Sequence, residues 1–177
     1  MTADGTPGIP RFPVGISACL LGQAVRYDGG HKKAVLLGEF LGRHFEWIPV
    51  CPEVEIGLGV PREPIRLEGD PGTPRLVSVA TRRDLTGTMG AYAERRSSEL
   101  AAASLCGYVF KKDSTCGVAG VPVHGCEMTS PGLFAGVIRA TFPGLPVAEE
   151  DELRDEAACL AFVAKVRAYG FERGRDL

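Results

Sequence analysis

The chain has 177 residues, of which 45% are hydrophobic, so it is about the size of one domain that can bury a core without disulfide bonds. Its formal net charge is -2, and the 20 basic and 22 acidic residues are scattered along the whole chain. Because no basic stripe is present to bind a phosphate backbone, we expect no nucleic-acid polymer as a partner.

The first 13 residues, Met1–Pro13, are rich in glycine and proline and contain no apolar run. They fit neither a signal peptide nor a membrane anchor, so we predict a flexible N-terminal tail followed by one domain over residues 14–177. No later stretch reaches the roughly 18 to 20 apolar residues of a membrane-spanning helix. The sequence therefore predicts a cytoplasmic protein without a membrane partner. In that compartment its six cysteines are more typical of core residues, metal ligands or reactive thiols than of disulfides.

Three short apolar runs predict buried strands, and each run leads into a loop that begins at or near a cysteine. The pairs are Val14–Leu20 with Cys19, Trp47–Val50 with Cys51, and Tyr108–Phe110 with Cys116.

The segments between these strands have mostly helical spacing of apolar residues. Helices are predicted over Ala34–Phe45, Asp84–Cys106, Ser130–Thr141 with Pro131 at its first position, and Glu149–Tyr169, further strands over Leu76–Ala80 and Leu145–Ala148, and a long loop over Pro52–Pro74. This alternation predicts a Rossmann-like α/β domain with a mostly parallel sheet and helices on both faces. Because ligands bind such sheets beyond the carboxyl ends of the strands, we expect the three cysteines to converge there.

The spacing of Cys19, Cys51 and Cys116 matches no familiar C-x-x-C pattern, so a metal site depends on their convergence in the fold. Three buried structural cysteines are the alternative, since free cysteine is among the most buried residue types. Thiolates suit zinc or iron–sulfur clusters far better than magnesium or calcium. A three-cysteine site also lacks one ligand, which in a cubane cluster leaves the fourth iron open to an outside ligand.

Polar residues beside these cysteines are candidates for chemistry. Glu53 and Glu55 follow Cys51, and one of them could act as a general acid or base, although solvated loop carboxylates are the plainer interpretation. Ser114 and Thr115 precede Cys116 and could position water or substrate, or form only a turn. Near Cys19, charge and aromatic surface come from three residues that would equally suit a structural turn: Arg26, Tyr27 and Asp28.

The other three cysteines show weaker signals. Core packing is the better interpretation for Cys106 and Cys159, which lie in or at the end of predicted helices. His124 and Cys126 could form a small metal site only with a partner that the spacing does not supply. A metal-free cysteine hydrolase would need a Cys–His pair, and no histidine lies in a recognisable partner motif.

Four ordered blocks of the sequence resemble the thiouracil desulfurase family, formerly catalogued as a domain of unknown function, over roughly Val14–Phe142. The blocks are Gly15–Gly22 (GISACLLG), Val25–Gly30 (VRYDGG), Cys51–Arg62 (CPEVEIGLGVPR) and Ser114–Gly117 (STCG).

The resemblance implies a [4Fe-4S] cluster bound by Cys19, Cys51 and Cys116, with one iron not bound by protein. It implies iron–sulfur-dependent, non-redox desulfuration of a thiolated small molecule such as thiouracil, giving the oxo product and sulfide. By the same matching, Glu55 takes the position of the catalytic carboxylate and Ser114 that of the hydroxyl that helps hold the attacking water.

The chain departs from the family pattern just before its third predicted ligand. Many relatives have Ser-Pro-Ser-Cys-Gly there, whereas this chain has Asp113–Gly117 (DSTCG) and no proline, so Thr115 could supply the hydroxyl instead. A metal-binding, redox-sensing or structural module without catalysis is the alternative function.

Overall fold

The computed structural model describes residues 11–118 and 120–174. The strands are β1 (Phe12–Ser17), β2 (Phe45–Val50), β3 (Ile65–Glu68), β4 (Arg75–Ser78), β5 (Gly107–Phe110), β6 (Val121–His124), β7 (Thr129–Ser130) and β8 (Val147–Glu149). The α-helices are α1 (Val35–Glu39), α2 (Pro52–Glu55), α3 (Thr86–Ala102), α4 (Leu133–Thr141) and α5 (Glu156–Glu172), and short 3-10 helices span Ala18–Leu21, Leu41–Arg43 and Glu150–Glu152. Residues 1–10 of the predicted tail lie outside the described residues, and β1 begins at Phe12.

Four strands form a parallel sheet in the order β2-β1-β5-β8. Every neighbouring pair in it is parallel, which confirms the predicted α/β architecture. The chain moves from β1 outward to β2, and later from β5 outward to β8 on the other side. The strand order therefore reverses between β1 and β5, and a crevice opens at such a point beyond the carboxyl ends of the strands.

Helices cover both faces of the parallel sheet, as predicted. On one face the rings of Tyr108 and Phe110 in β5 contact the ring of Phe134 in α4. On the other face a Cβ at Gly107 would lie 2.8 Å from Cγ2 of Val166 in α5, so this close approach requires glycine. Successive residues of β5 thus point to opposite helical layers, because side chains alternate along a strand.

A second sheet has the order β4-β3-β6-β7 and was not predicted, although its strand β4 confirms the strand predicted over Leu76–Ala80. It contains β3, which lies inside the segment predicted as a long loop, and that prediction is wrong there. Because Glu68 is charged, this segment looks like a solvent-exposed loop in the sequence. In the structure Glu68 is only 7% exposed. Hydrogen bonds from Arg82 and Arg66 lower the pKa of the Glu68 carboxyl to about 2 and keep it ionised within the sheet.

Several predicted helix bounds were also wrong. Ser130 pairs with Val121, so the chain is still extended there, and α4 begins at Leu133 with Gly132 rather than Pro131 at its start. The predicted closing helix over Glu149–Tyr169 begins too early. Glu149 belongs to β8, and α5 begins at Glu156. The side chain of Asp155 caps α5 by accepting a hydrogen bond from the Ala158 amide.

The remaining differences are smaller. The predicted helix over 34–45 is α1 followed by a separate 3-10 turn, and α3 ends at Ala102, before Cys106. Within residues 11–118 and 120–174, none of the helices has both the length and the apolar character needed to cross a membrane.

Candidate active site

A cavity of about 200 Å³ lies at the carboxyl ends of β1, β2 and β5, and all three predicted ligand cysteines line it. Cys19 is in the 3-10 turn that follows β1, Cys51 directly follows β2, and Cys116 is in the loop after β5. The prediction that these cysteines converge is confirmed. Their position matches the crevice where the strand order reverses.

Local turns place each of the three cysteines. Gly22, with a φ of 90°, adopts the left-handed conformation, and its amide donates to the Cys19 carbonyl at 3.2 Å. Cys51 is the residue that precedes α2, so its side chain stands at the beginning of that short helix. The chain turns tightly through Thr115 and Cys116, so that the Gly117 amide donates to the Ser114 carbonyl at 2.7 Å.

The Cys19 and Cys116 thiols are buried, the Cys51 thiol is partly buried, and Cys51 is close enough to influence the other two. Burial raises the pKa of the Cys19 and Cys51 thiols and raises that of Cys116 well above its ordinary value. The neighbouring Cys51 further raises the pKa of both Cys19 and Cys116. Holding all three as thiolates thus requires compensating positive charge, which a metal centre would supply.

The donor chemistry of three cysteine sulfurs suits zinc or an iron–sulfur cluster far better than magnesium or calcium. In the described part of the chain, no three His, Cys, Asp or Glu side chains are already placed to hold one metal ion. Three cations also line the cavity and suit an anionic, thiolate-bound group: Arg26, Arg62 and Lys111.

The two candidate carboxylates point in different directions. Glu53 lines the cavity, where its Oε1 accepts a hydrogen bond from the Thr115 hydroxyl at 3.0 Å. Glu55 is turned toward α3: its Oε1 accepts from the Cys51 amide at 2.9 Å and its Oε2 from the Tyr92 hydroxyl at 2.8 Å. Both carboxylates are thus held in place, Glu53 in the cavity wall and Glu55 behind Cys51.

Both candidate hydroxyls line the cavity. The Ser114 hydroxyl oxygen accepts a hydrogen bond from the Cys116 amide at 3.3 Å, and the Thr115 hydroxyl donates to Glu53. Arg26 and Tyr27 line the cavity as well, with the Arg26 guanidinium 5.5 Å from the centre of the Tyr27 ring.

Sequence reasoning missed Arg62 as a site residue. Its side chain is only 5% exposed, and its Nε donates to Glu53 Oε2 at 2.9 Å inside the cavity wall. The signal in the sequence is its place at the end of the block Cys51–Arg62.

The other cysteines lie elsewhere. Cys106 and Cys159 are buried in the hydrophobic core, which confirms core packing. Cys126 is exposed, beyond the end of β6, and neither it nor His124 is among the residues that line the cavity.

Fold and cavity together define a class, a Rossmann-like α/β domain with a three-cysteine pocket at the carboxyl edge of its parallel sheet. A family model described as 2-thiouracil desulfurase matches residues 14–150. The chain belongs to this family.

A solved structure named as the [4Fe-4S]-dependent thiouracil desulfidase TudS is similar to the chain, with 30% sequence identity and a TM-score of 0.65. The similarity covers 85% of this chain and 99% of that one. Among curated protein sequences, none matches this chain.

We expect Gly132→Ala to disturb the Cys116 loop, because the start of α4 lies directly against it. A Cβ at Gly132 would lie 2.2 Å from the Thr115 carbonyl oxygen and 2.9 Å from the Cys116 Cα, and neither backbone atom can move alone. Overpacking of this kind lowers the free energy of unfolding by about 1–3 kcal/mol. Denaturant unfolding measures this loss.

Gly136→Ala is the matched control in the same helix, since a Cβ there meets nothing within 4 Å. It should stabilise α4 by roughly 0.5–1 kcal/mol. Equal stability of both variants would contradict the close approach at Gly132.

Proposed function

We propose that the protein is an iron–sulfur-dependent enzyme that removes sulfur from a thiolated small molecule such as thiouracil, giving the oxo product and sulfide by reaction with water. The observation that carries this proposal is the convergence in one cavity of three cysteines, Cys19 and Cys116 buried and Cys51 partly buried. Family membership and the name of the similar solved structure support it. The cavity suits a small molecule, and we infer neither a nucleic-acid polymer nor a membrane as a partner of this single domain.

Cys19, Cys51 and Cys116 would hold the [4Fe-4S] cluster, and three protein ligands leave one iron without a protein ligand. When bound, the cluster would supply at that iron a Lewis acid that polarises the carbon–sulfur bond of the substrate.

Glu55 is our proposed general base because it matches the catalytic carboxylate of the family, and since it does not line the cavity it would accept the proton of the attacking water through a relay. The Cys51 amide and the Tyr92 hydroxyl fix its carboxylate. Burial and the Glu55 carboxylate raise the pKa of Tyr92, so this phenol stays a neutral hydrogen-bond donor. Glu53 is the second candidate, favoured by its place in the cavity wall.

Ser114 is our proposed hydroxyl for orienting the water. It lines the cavity one residue farther from the ligand than Thr115. The Thr115 hydroxyl already donates its proton to Glu53 at 3.0 Å, so it cannot donate the same proton to water. This favours Ser114 over Thr115.

The direct test is anaerobic reconstitution of the protein with iron and sulfide, followed by incubation with thiouracil. We expect uracil and sulfide in equal amounts, with oxygen from labelled water in the uracil. Apo-protein is the control and should release neither product. A fully loaded protein that leaves thiouracil unchanged would remove thiouracil as a substrate.

Metal analysis separates this enzyme from a structural or redox-sensing module. About four irons with matching acid-labile sulfide per chain support the cluster. Stoichiometric zinc without visible absorption would instead support a structural role for the cysteines.

A further inference from the structure

We propose that Glu53 and Arg62 form a positioning pair that holds the three cysteine loops in their ligating arrangement before any metal binds. This inference rests on the proposed cluster function. It assigns a positioning role to an arginine that the proposed chemistry does not use.

Arg62 fixes the loop that follows Cys19. Its Nη1 donates to the Val25 carbonyl at 2.9 Å, and its backbone amide donates to the Tyr27 carbonyl at 2.9 Å. The Cys51 thiol donates to the same Val25 carbonyl at 3.8 Å. One carbonyl therefore connects the Arg62 side chain, the first loop and the second ligand.

Glu53 fixes the loop that follows Cys51. It lies two residues after this cysteine in α2, and its Oε2 accepts from Arg62 Nε at 2.9 Å and also from Nη2. Two guanidinium nitrogens of Arg62 thus share one carboxylate oxygen of Glu53, which leaves Oε1 for another donor.

Glu53 also reaches the third loop. Its other oxygen, Oε1, accepts from the hydroxyl of Thr115, which directly precedes Cys116. A continuous chain of hydrogen bonds thus runs from Val25 through Arg62 and Glu53 to Thr115. It links the loops of all three ligand cysteines.

The burial of this pair indicates positioning. The side chains of Arg62 and Glu53 are 5% and 15% exposed. A buried ion pair is weak evidence for stability, because desolvation offsets its attraction, and its best-attested use is to specify one arrangement over others. A group bound by three thiolates needs the sulfurs at fixed separations, so loops ordered in advance make its binding tighter.

Hydrogen exchange of the full-length protein, without and with reconstituted cluster, tests this role. Each variant breaks different links and should release different loops. Arg62→Met removes the side-chain links and should increase deuterium uptake around Val25, Glu53 and Thr115 together. Arg62→Lys keeps the charge beside Glu53 but loses the guanidinium, so only the Val25 loop should gain uptake. Thr115→Val should release only the Cys116 loop.

The second readout is the rate at which a chelator removes the reconstituted cluster, followed by visible absorption. We expect Arg62→Met to lose its cluster about 10 to 100 times faster than the unmodified protein, the usual effect of removing a residue that orients ligands. Arg66→Met is the matched control, because it breaks a similar contact to Glu68 at 2.7 Å in the second sheet. Its cluster loss should be unchanged.

Unchanged uptake in all three loops, or uptake raised equally over the whole chain, would overturn the positioning role. If Arg62→Met does not fold, the other two variants test the positioning role. Uptake should then rise only in the Val25 loop of Arg62→Lys and only in the Cys116 loop of Thr115→Val. If the unmodified protein takes up no cluster, the proposed function fails, whereas the exchange experiment still decides whether the pair orders the loops.

Discussion

Replacing Cys51 or Cys116 with serine is expected to eliminate the iron–sulfur cluster and desulfuration together. A serine hydroxyl is a hard, weakly acidic oxygen ligand in place of a soft thiolate, and the Cys116 position is only 8% exposed. Activity should fall by more than about 100-fold, which is the upper range for changes in residues that merely orient ligands. Iron and acid-labile sulfide per chain, together with visible absorption, measure the loss.

Cys126→Ser is the control for this experiment, because Cys126 is exposed and does not line the cavity. Its cluster content and activity should equal those of the unmodified protein. Full cluster loading in Cys116→Ser would place the third ligand at another residue.

Glu55→Gln is expected to separate chemistry from cluster binding. The amide has nearly the shape of the carboxylate and can still accept from the Cys51 amide, but it cannot take a proton from water. General-base catalysis contributes about 10²- to 10⁴-fold, so kcat should fall by that factor while the visible spectrum stays unchanged. Single-turnover release of uracil from reconstituted protein measures the effect.

Two further carboxylates provide the comparison. Glu46→Gln changes an exposed residue of β2 and should leave activity unchanged. Glu53→Gln should instead accelerate cluster loss, because it weakens the contact with Arg62. Unaltered kcat in Glu55→Gln, with a large loss of kcat in Glu53→Gln at full loading, would transfer the general-base role to Glu53.

Motif spacing alone cannot show which of the two carboxylates, Glu53 or Glu55, reaches the cavity. Glu53 and Glu55 are two residues apart in a short helix, so their side chains leave it in different directions. One reaches the cavity and the other reaches α3, 37 residues away along the chain at Tyr92. The catalytic role proposed for Glu55 comes from the family resemblance, and the two substitutions test whether it or Glu53, which lines the cavity, is the base.

The parallel sheet and the meeting of the three cysteines were predictable from the sequence alone. Strands buried on both faces appear as short apolar runs, as in Tyr108–Phe110, and parallel strands bring their carboxyl ends to one edge. Hence the cysteines that follow β1, β2 and β5 had to lie near one another once the strands were assigned.

The second sheet could not be predicted in the same way. In β3, Glu68 is buried through partners at Arg66 and Arg82, and the latter is 14 residues away. A charged residue that is neutralised by a distant partner looks like a loop residue in the sequence. Only the tertiary contact shows it as part of a strand.

The sequence by itself determined which cysteines share a cavity, because strand burial and alternation are local patterns. The tertiary structure alone decided what surrounds them. Arg62 meets the Val25 carbonyl across 37 residues, and Thr115 meets Glu53 across 62. Contacts over such separations depend on how loops fold against one another, and no local spacing of residue types encodes them.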